Sequence, residues 1–190
     1  MGIGAIIFLA VVAILAGYFI VIYNALVNLK HAVSKAWSNI DVLLKQRHDE
    51  IPKLVEVCKQ YMGYEQEALT KVMEARSKVS SAQQSGDMNA LGSAEGMLRM
   101  GLGNLFAVAE DYPELKANET FKHLQERISG LENSIADRRE FYNESVNRNN
   151  VRIEQFPDII VARAMAFKEF DLLEFAQGET QDVDMKALFS

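Results

Sequence analysis

From Ile3 to Tyr23 the chain carries no charged residue, and its side chains there are mostly Ile, Val, Leu, Phe and Ala. A run of about 20 such residues matches the length a helix needs to cross the ~30 Å hydrocarbon layer of a bilayer. Tyr18 and Tyr23 fall near its C-terminal end, where amphipathic rings favour the interface. A cleavable signal peptide fits poorly: no Lys or Arg precedes the run, and it exceeds a normal apolar core. A buried core helix fits poorly as well, since a helix without a polar face needs a much larger protein around it. The run therefore reads as a transmembrane anchor, which divides the chain into an anchor over 1–24, a helical bundle over 25–177 and an acidic tail over 178–190.

Orientation follows from the basic residues nearest the span. Ahead of it lie Met1 and Gly2; behind it come Lys30, Lys35, Lys45 and Arg47. The excess of positive charge on one side places the domain in the cytoplasm and the N-terminus outside. Met1-Gly2 does not open a myristoylation signal, because Ile6 stands where Ser or Thr is required.

Beyond the anchor the chain reads as helix. Pro52, Pro113 and Pro157 are its three prolines, and no segment alternates with the period of a strand. Apolar residues recur at Leu26, Leu29, Val33, Trp37, Ile40 and Leu44, three or four apart, so anchor and first helix form one rod to about His48. Asp49 then suits an N-cap and Pro52 the first turn of a second helix, expected from about 50 to 84. Leu54, Cys58, Tyr61, Leu69, Val72 and Val79 form its apolar side. Gly86 suits a C-terminal glycine and Asp87 the next cap.

The third helix, about 88 to 111, carries Gly92, Gly96, Gly101 and Gly103. Each costs a helix interior roughly 1 kcal/mol relative to alanine, which points to close approach of a neighbouring backbone ahead of the alternative, a flexible or rearranging segment. A fourth, long helix is capped near Asn118. Phe121, Leu124, Ile128, Leu131 and Ile135 repeat as in bundle or coiled-coil packing, before Arg138, Tyr142 and Asn149 bring polar groups to the seam. Pro157 ends this helix, and Ile159 to Phe175 form a further apolar segment. The fold class is all-α: a transmembrane helix continuing into an antiparallel long four-helix bundle, with an extra short C-terminal helical segment.

Catalytic chemistry has no foothold in this pattern. His31, His48 and His123 are scattered, and none lies in the E-x-x-H pairing of bundle di-metal sites. Zinc, phosphate-loop and nucleophile-elbow motifs are missing from the sequence. The lone Cys58 has no partner base and reads as a buried structural thiol. Arg47-His48-Asp49-Glu50 is the richest ionisable cluster, and it reads as a solvated corner between helices. With 26 acidic against 20 basic residues and no basic stretch, nucleic acid is not an expected partner. No cofactor, metal or catalytic residue is expected.

Two long segments, "AWSNIDVLLKQRHDEIPKLVEVCKQYMGYEQEAL" at 36–69 and "EDYPELKANETFKHLQERISGLENSIADRREFYN" at 110–143, resemble the bacterial LemA family. With "YNALVNL" at 23–29 and the anchor, the resemblance covers nearly the whole chain. It implies an outward N-terminus, one membrane helix and a cytoplasmic bundle of four long antiparallel helices, with no established enzymatic activity. One member is associated with building a membrane compartment, so membrane shaping is the function it suggests. On the family motifs, Trp37 and Ile40 are core anchors while Asp41 and Arg47 face partners or water. Tyr112 and Pro113 shape the turn before the long helix, and Asn133, Arg138, Tyr142 and Asn143 form a polar layer. Around "SVNRNNVRIEQFP" the chain departs from the family pattern at Asn149-Asn150.

The leading expectation is thus a non-enzymatic bacterial inner-membrane protein that self-associates and organises or shapes the membrane, with membrane lipid and copies of itself as partners. Bundle-core residues are Trp37, Ile40, Leu54, Phe121, Leu124, Ile128, Leu131 and Ile135, and Ala13 and Gly17 offer a small-residue contact within the bilayer. The alternative is a cytoplasmic-facing adaptor whose tail, with Glu179, Asp182 and Asp184 ahead of Met185, Leu188 and Phe189, recruits a signalling or proteolytic partner.

Overall fold

The computed structural model describes residues 2–174 and is helical, with no strand among them. Its helices are α1 (Ile3–Tyr61), α2 (Gln66–Ser85), α3 (Met88–Ala109), α4 (Pro113–Ala117), α5 (Glu119–Glu154) and α6 (Asp158–Ala164). The acidic tail expected at 178–190, with Met185, Leu188 and Phe189, lies outside the described residues. The described residues divide into two compact units, one formed by 2–42 with 137–172 and the other by 43–136 with 173–174.

The break expected between His48 and Pro52 does not exist. α1 continues through Pro52 to Tyr61, and the chain first turns at 62–65. Proline lacks the N–H that the carbonyl four residues earlier would accept, and an interior proline is ordinarily a breaker. Here that carbonyl belongs to His48, and Arg76 on α2 donates its Nε–H to it at 2.9 Å. The acceptor orphaned by Pro52 is satisfied from a neighbouring helix, so the chain keeps its path. Ile51, Leu54, Val55 and Cys58 around the proline are all buried, and that packing gives the helix a further reason to continue.

Other boundaries follow local chemistry. Gly86 adopts φ +70°, the left-handed conformation a side chain resists, and its N–H donates to Gln83 O. The Asp87 carboxylate accepts from Ala90 N at 2.9 Å and starts α3. Pro113 occupies the first turn of α4, and the Asn118 side chain accepts from Phe121 N at 3.0 Å to start α5. The result is a tight α2–α3 hairpin and a long α5 begun by a side-chain cap.

In the unit built from 43–136 and 173–174, α2 packs along α3, and the glycines of α3 serve that packing unequally. A Cβ on Gly101 would lie 3.4 Å from Val72 Cγ2, so α2 and α3 approach closely there. A Cβ on Gly92 would lie 1.8 Å from the carbonyl oxygen of Glu174, a position no side chain can share. Gly103 faces open space. Leu91, Leu98, Leu102 and Leu105 of α3 meet a core that includes Leu69, Val72 and Val79 from α2 and Phe121, Leu124 and Ile128 from α5. Phe106 and Phe121 meet edge to face at 6.5 Å.

In the other unit, Ile22 and Leu26 of α1 share a core cluster with Ile153, Val161 and Ala162, with Phe167 packed against it. Tyr23 meets Phe167 edge to face at 6.0 Å, and Trp37 meets Tyr142 at 5.8 Å. The stretch after α6 has no regular structure, so its backbone polar groups need partners elsewhere. Asn150 supplies two: its Nδ2 donates to Phe170 O at 2.9 Å, and its Oδ1 accepts from Phe170 N at 3.0 Å. Tyr142 Oη donates to Asp171 O at 3.0 Å.

The glycine geometry predicts opposite effects for two similar substitutions. Gly103→Ala raises the unfolding midpoint, by about 1 kcal/mol of helix propensity. Gly92→Ala instead displaces the segment at Glu174, and hydrogen exchange of the peptide spanning 165–174 accelerates.

Candidate functional site

The most unusual chemistry lies where the sequence pattern suggested a solvated corner. Arg47 is only 1% exposed, and Glu95 of α3 is 3% exposed. The Arg47 guanidinium donates Nη2–H to Glu95 Oε1 in a short contact, and Nη1–H to Glu132 Oε1 on α5 at 2.6 Å. One buried cation thus ties three helices. Both Arg47 and Glu50 are buried, so the reading of 47–50 as a solvated corner, and of Arg47 as facing water or partners, is corrected.

A second layer adjoins the first. The Glu50 carboxylate, nearly buried, receives Arg127 Nη2 at 3.1 Å and Lys53 Nζ at 3.2 Å. Arg76 Nη2 donates to His48 Nε2 at 2.6 Å, which requires an unprotonated acceptor on that ring nitrogen. Lower along α1, Asn118 Nδ2 donates to Tyr61 Oη at 3.1 Å.

The electrostatics follow from this geometry. Burial pulls the Arg47 pKa down, but Glu95 and Glu132 more than reverse it and hold the guanidinium above its ordinary value. It is a permanent cation, and it takes no part in proton transfer. Burial first, then the Arg76 charge, hold His48 below its usual value and favour the neutral ring, against a smaller opposing pull from Asp49. Cys58 is fully buried, and burial pushes its thiol up to about 11. That matches the structural thiol expected from the sequence.

The remaining sequence-selected residues are distributed as follows. Ile40, Leu54, Phe121, Leu124, Ile128 and Ile135 are buried, while Trp37 and Leu131 are half-buried. Ala13 and Gly17 are exposed on α1. Of the polar layer, Tyr142 and Asn149 are buried and lie along the irregular stretch after α6, where Asn149 Nδ2 reaches Lys168 O at 3.4 Å. Arg138 and Asn133 are exposed, so they do not join Tyr142 in a layer. Asn150, which makes the two-point bond to Phe170, was named only as a departure from the family pattern.

Sequence reasoning missed Glu95 and Glu132, although a signal exists. Ile40, Leu44, Arg47, Ile51, Leu54 and Cys58 step four, three, four, three, four along α1, so Arg47 occupies an apolar slot. Glu95 stands likewise between Leu91 and Leu98. A charge inside an apolar stripe is the mark of a buried partner. Among the described residues no group of three or more His, Cys, Asp or Glu is placed to hold a metal ion. A groove of about 740 Å³ runs between the end of α1 and α2, bounded by Val55, Lys59, Met62, Leu69 and Met73.

These features define a class: an all-α protein whose first helix begins with a stretch long and apolar enough to cross a membrane, and whose helices are keyed together by a buried ion cluster. The LemA family model matches residues 36–186, and the chain belongs to the LemA family. Magnetosome protein MamQ 2 of Paramagnetospirillum magneticum is 25% identical over 189 residues, covering 87% of this chain and 69% of the relative. Magnetosome protein MamQ of Magnetospirillum gryphiswaldense is 25% identical over 182 residues, covering 83% and 67%. Protein LemA of Metamycoplasma hominis is 26% identical over 176 residues, covering 90% and 80%.

Two predictions come from the ion cluster. Arg47→Met strands two carboxylates and destabilises the protein by about 3–5 kcal/mol, whereas adding Glu95→Leu and Glu132→Leu restores most of that loss. Denaturant titration followed by helical circular dichroism in mild detergent reads both. The second concerns pH. His48 has a lower pKa folded than its unfolded 6.5, so the unfolded chain takes up the proton first. Its contribution to stability is complete above pH 6.5 and is lost as pH falls below it. Midpoints measured from pH 7.5 to 5 fall more steeply for the wild type than for His48→Gln.

Proposed function

We infer that the protein is a non-enzymatic membrane anchor and scaffold of the bacterial inner membrane, with its N-terminus outside and its helical domain in the cytoplasm. It self-associates and organises the membrane around it. One observation carries this reading. The apolar stretch of α1 exposes Ile6, Phe8, Leu9, Ile14 and Leu15 by more than half, yet the same helix runs on unbroken to Tyr61 and supplies Arg47 to the ion cluster. A helix exposed in that way needs an apolar solvent, and a bilayer supplies one.

Further support comes from several directions. Lys30, Lys35 and Lys45 follow the span and favour a cytoplasmic domain. Ala13 and Gly17 lie one turn apart on the exposed helix, where small side chains let two spans approach. The ionisable groups with the most altered surroundings are suited to structure: Arg47 cannot release its proton, and the Cys58 thiol is un-ionised at neutral pH. The relatives that are magnetosome proteins support a role at a membrane.

Native mass spectrometry of the detergent-extracted chain then records oligomers, and Ala13→Leu with Gly17→Leu shifts them towards monomer. Monodisperse monomer at every concentration and in every detergent overturns the self-association.

A further inference from the structure

We propose that α6 and the turn before it form a second membrane contact, seated in the headgroup region of the bilayer that α1 crosses. The inference rests on the reading of α1 as a membrane span. Residues 3–23 fill a bilayer, so Ile22, Tyr23 and Leu26 lie at the level where hydrocarbon gives way to headgroups. Val161 and Ala162 of α6 pack on Ile22 and Leu26, and Phe167 packs on Tyr23. α6 is therefore fixed at that same level by its own buried side.

Its other side is apolar where water would favour polar groups. Phe156 is 82% exposed, Ile160 60% and Met165 47%, all within one short stretch of chain. Isolated exposed apolar residues are ordinary, but a group of them continuous with a membrane span has an evident apolar partner. An aromatic ring at this depth is favoured as Tyr18 and Tyr23 are. Charge agrees as well. Asp158, the acidic group of α6, is buried and paired with Arg152 at 3.1 Å, leaving exposed Arg163 to meet lipid phosphate. An apolar face with a basic residue at its edge is the pattern of a helix lying in the interface.

The occupant is the lipid surface, and a second copy of the chain is the competing outcome. Both are separated by nitroxide labels on the full chain in phosphatidylethanolamine–phosphatidylglycerol liposomes. Phe156→Cys and Ile160→Cys are compared with Leu15→Cys in the span and with Phe141→Cys, which is 62% exposed and about 18 Å of helix from Ile153. Buried Cys58, its thiol held un-ionised, stays unlabelled and gives the wild-type blank. Collisions with oxygen and with a water-soluble nickel chelate report depth.

The expected result is that positions 156 and 160 favour oxygen over nickel, less than position 15 but well above position 141. Nickel-dominated collisions at 156 and 160, matching 141 while 15 remains in lipid, overturn the proposal and leave the span intact. Shielding from both reagents overturns it in favour of a protein contact. Nickel access at position 15 overturns the span itself and the proposal with it. All substituted residues are exposed, so the fold is not at risk from the substitutions.

Discussion

A guanidinium removed from water stays charged, and the surrounding protein must answer that charge in place. Arg47 receives its answer from Glu95 on α3 and Glu132 on α5, so three helices converge on one ion. Packing of Leu, Ile and Val tolerates small slips, since one apolar contact resembles another. The ion cluster does not: a slip of one residue on any of the three helices strands a charge away from solvent. Arg47 Nε finds no hydrogen-bond partner among the described residues, so the fit is set by the two carboxylates on Nη1 and Nη2. Hydrophobic burial supplies the adhesion of this unit, and the ions supply its register.

The same unit shows how tertiary contacts overrule a local breaker. Taken alone, Asp49 and Pro52 make a plausible boundary, and the carbonyl of His48 has every reason to end the helix. Arg76 removes that reason by donating to it, and its second donor engages the His48 ring. A side chain twenty-eight residues away in sequence therefore supplies the donor that Pro52 lacks, and the packing around the proline holds α1 as one helix. Membership of the LemA family over 36–186 takes in all of these partners.

Much of the fold was legible because its determinants are local or periodic. The apolar run, the Gly86–Asp87 corner, the Asn118 cap and the Leu and Ile stripes are written within a few residues each, and the helices follow them. What escaped was non-local. Arg47 looked like part of a polar corner because Pro52 looked like a start signal, and one misreading carried the other. Glu95 sits in an apolar slot of α3, where four glycines blur the helical stripe that would mark it as buried. Asn149 was legible as a polar group on the seam and Asn150 only as an irregularity, but their partners, Lys168 and Phe170, lie on irregular backbone with no periodicity to reveal them. Close packing was the favoured reason for the α3 glycines; Gly92 and Gly101 meet it, and Gly103 does not.

Cys58 has a consequence of its own. With the thiol's pKa near 11, only about one molecule in ten thousand carries a thiolate at neutral pH. Oxidants, disulfide exchange and soft metals all act on the thiolate, and side-chain burial closes the approach as well. Cys58 in the folded domain is therefore indifferent to the redox poise of its surroundings: a reducing cytoplasm and an oxidising exterior would meet the same protected thiol. A covalent signal arriving at that sulfur would report that the domain had opened.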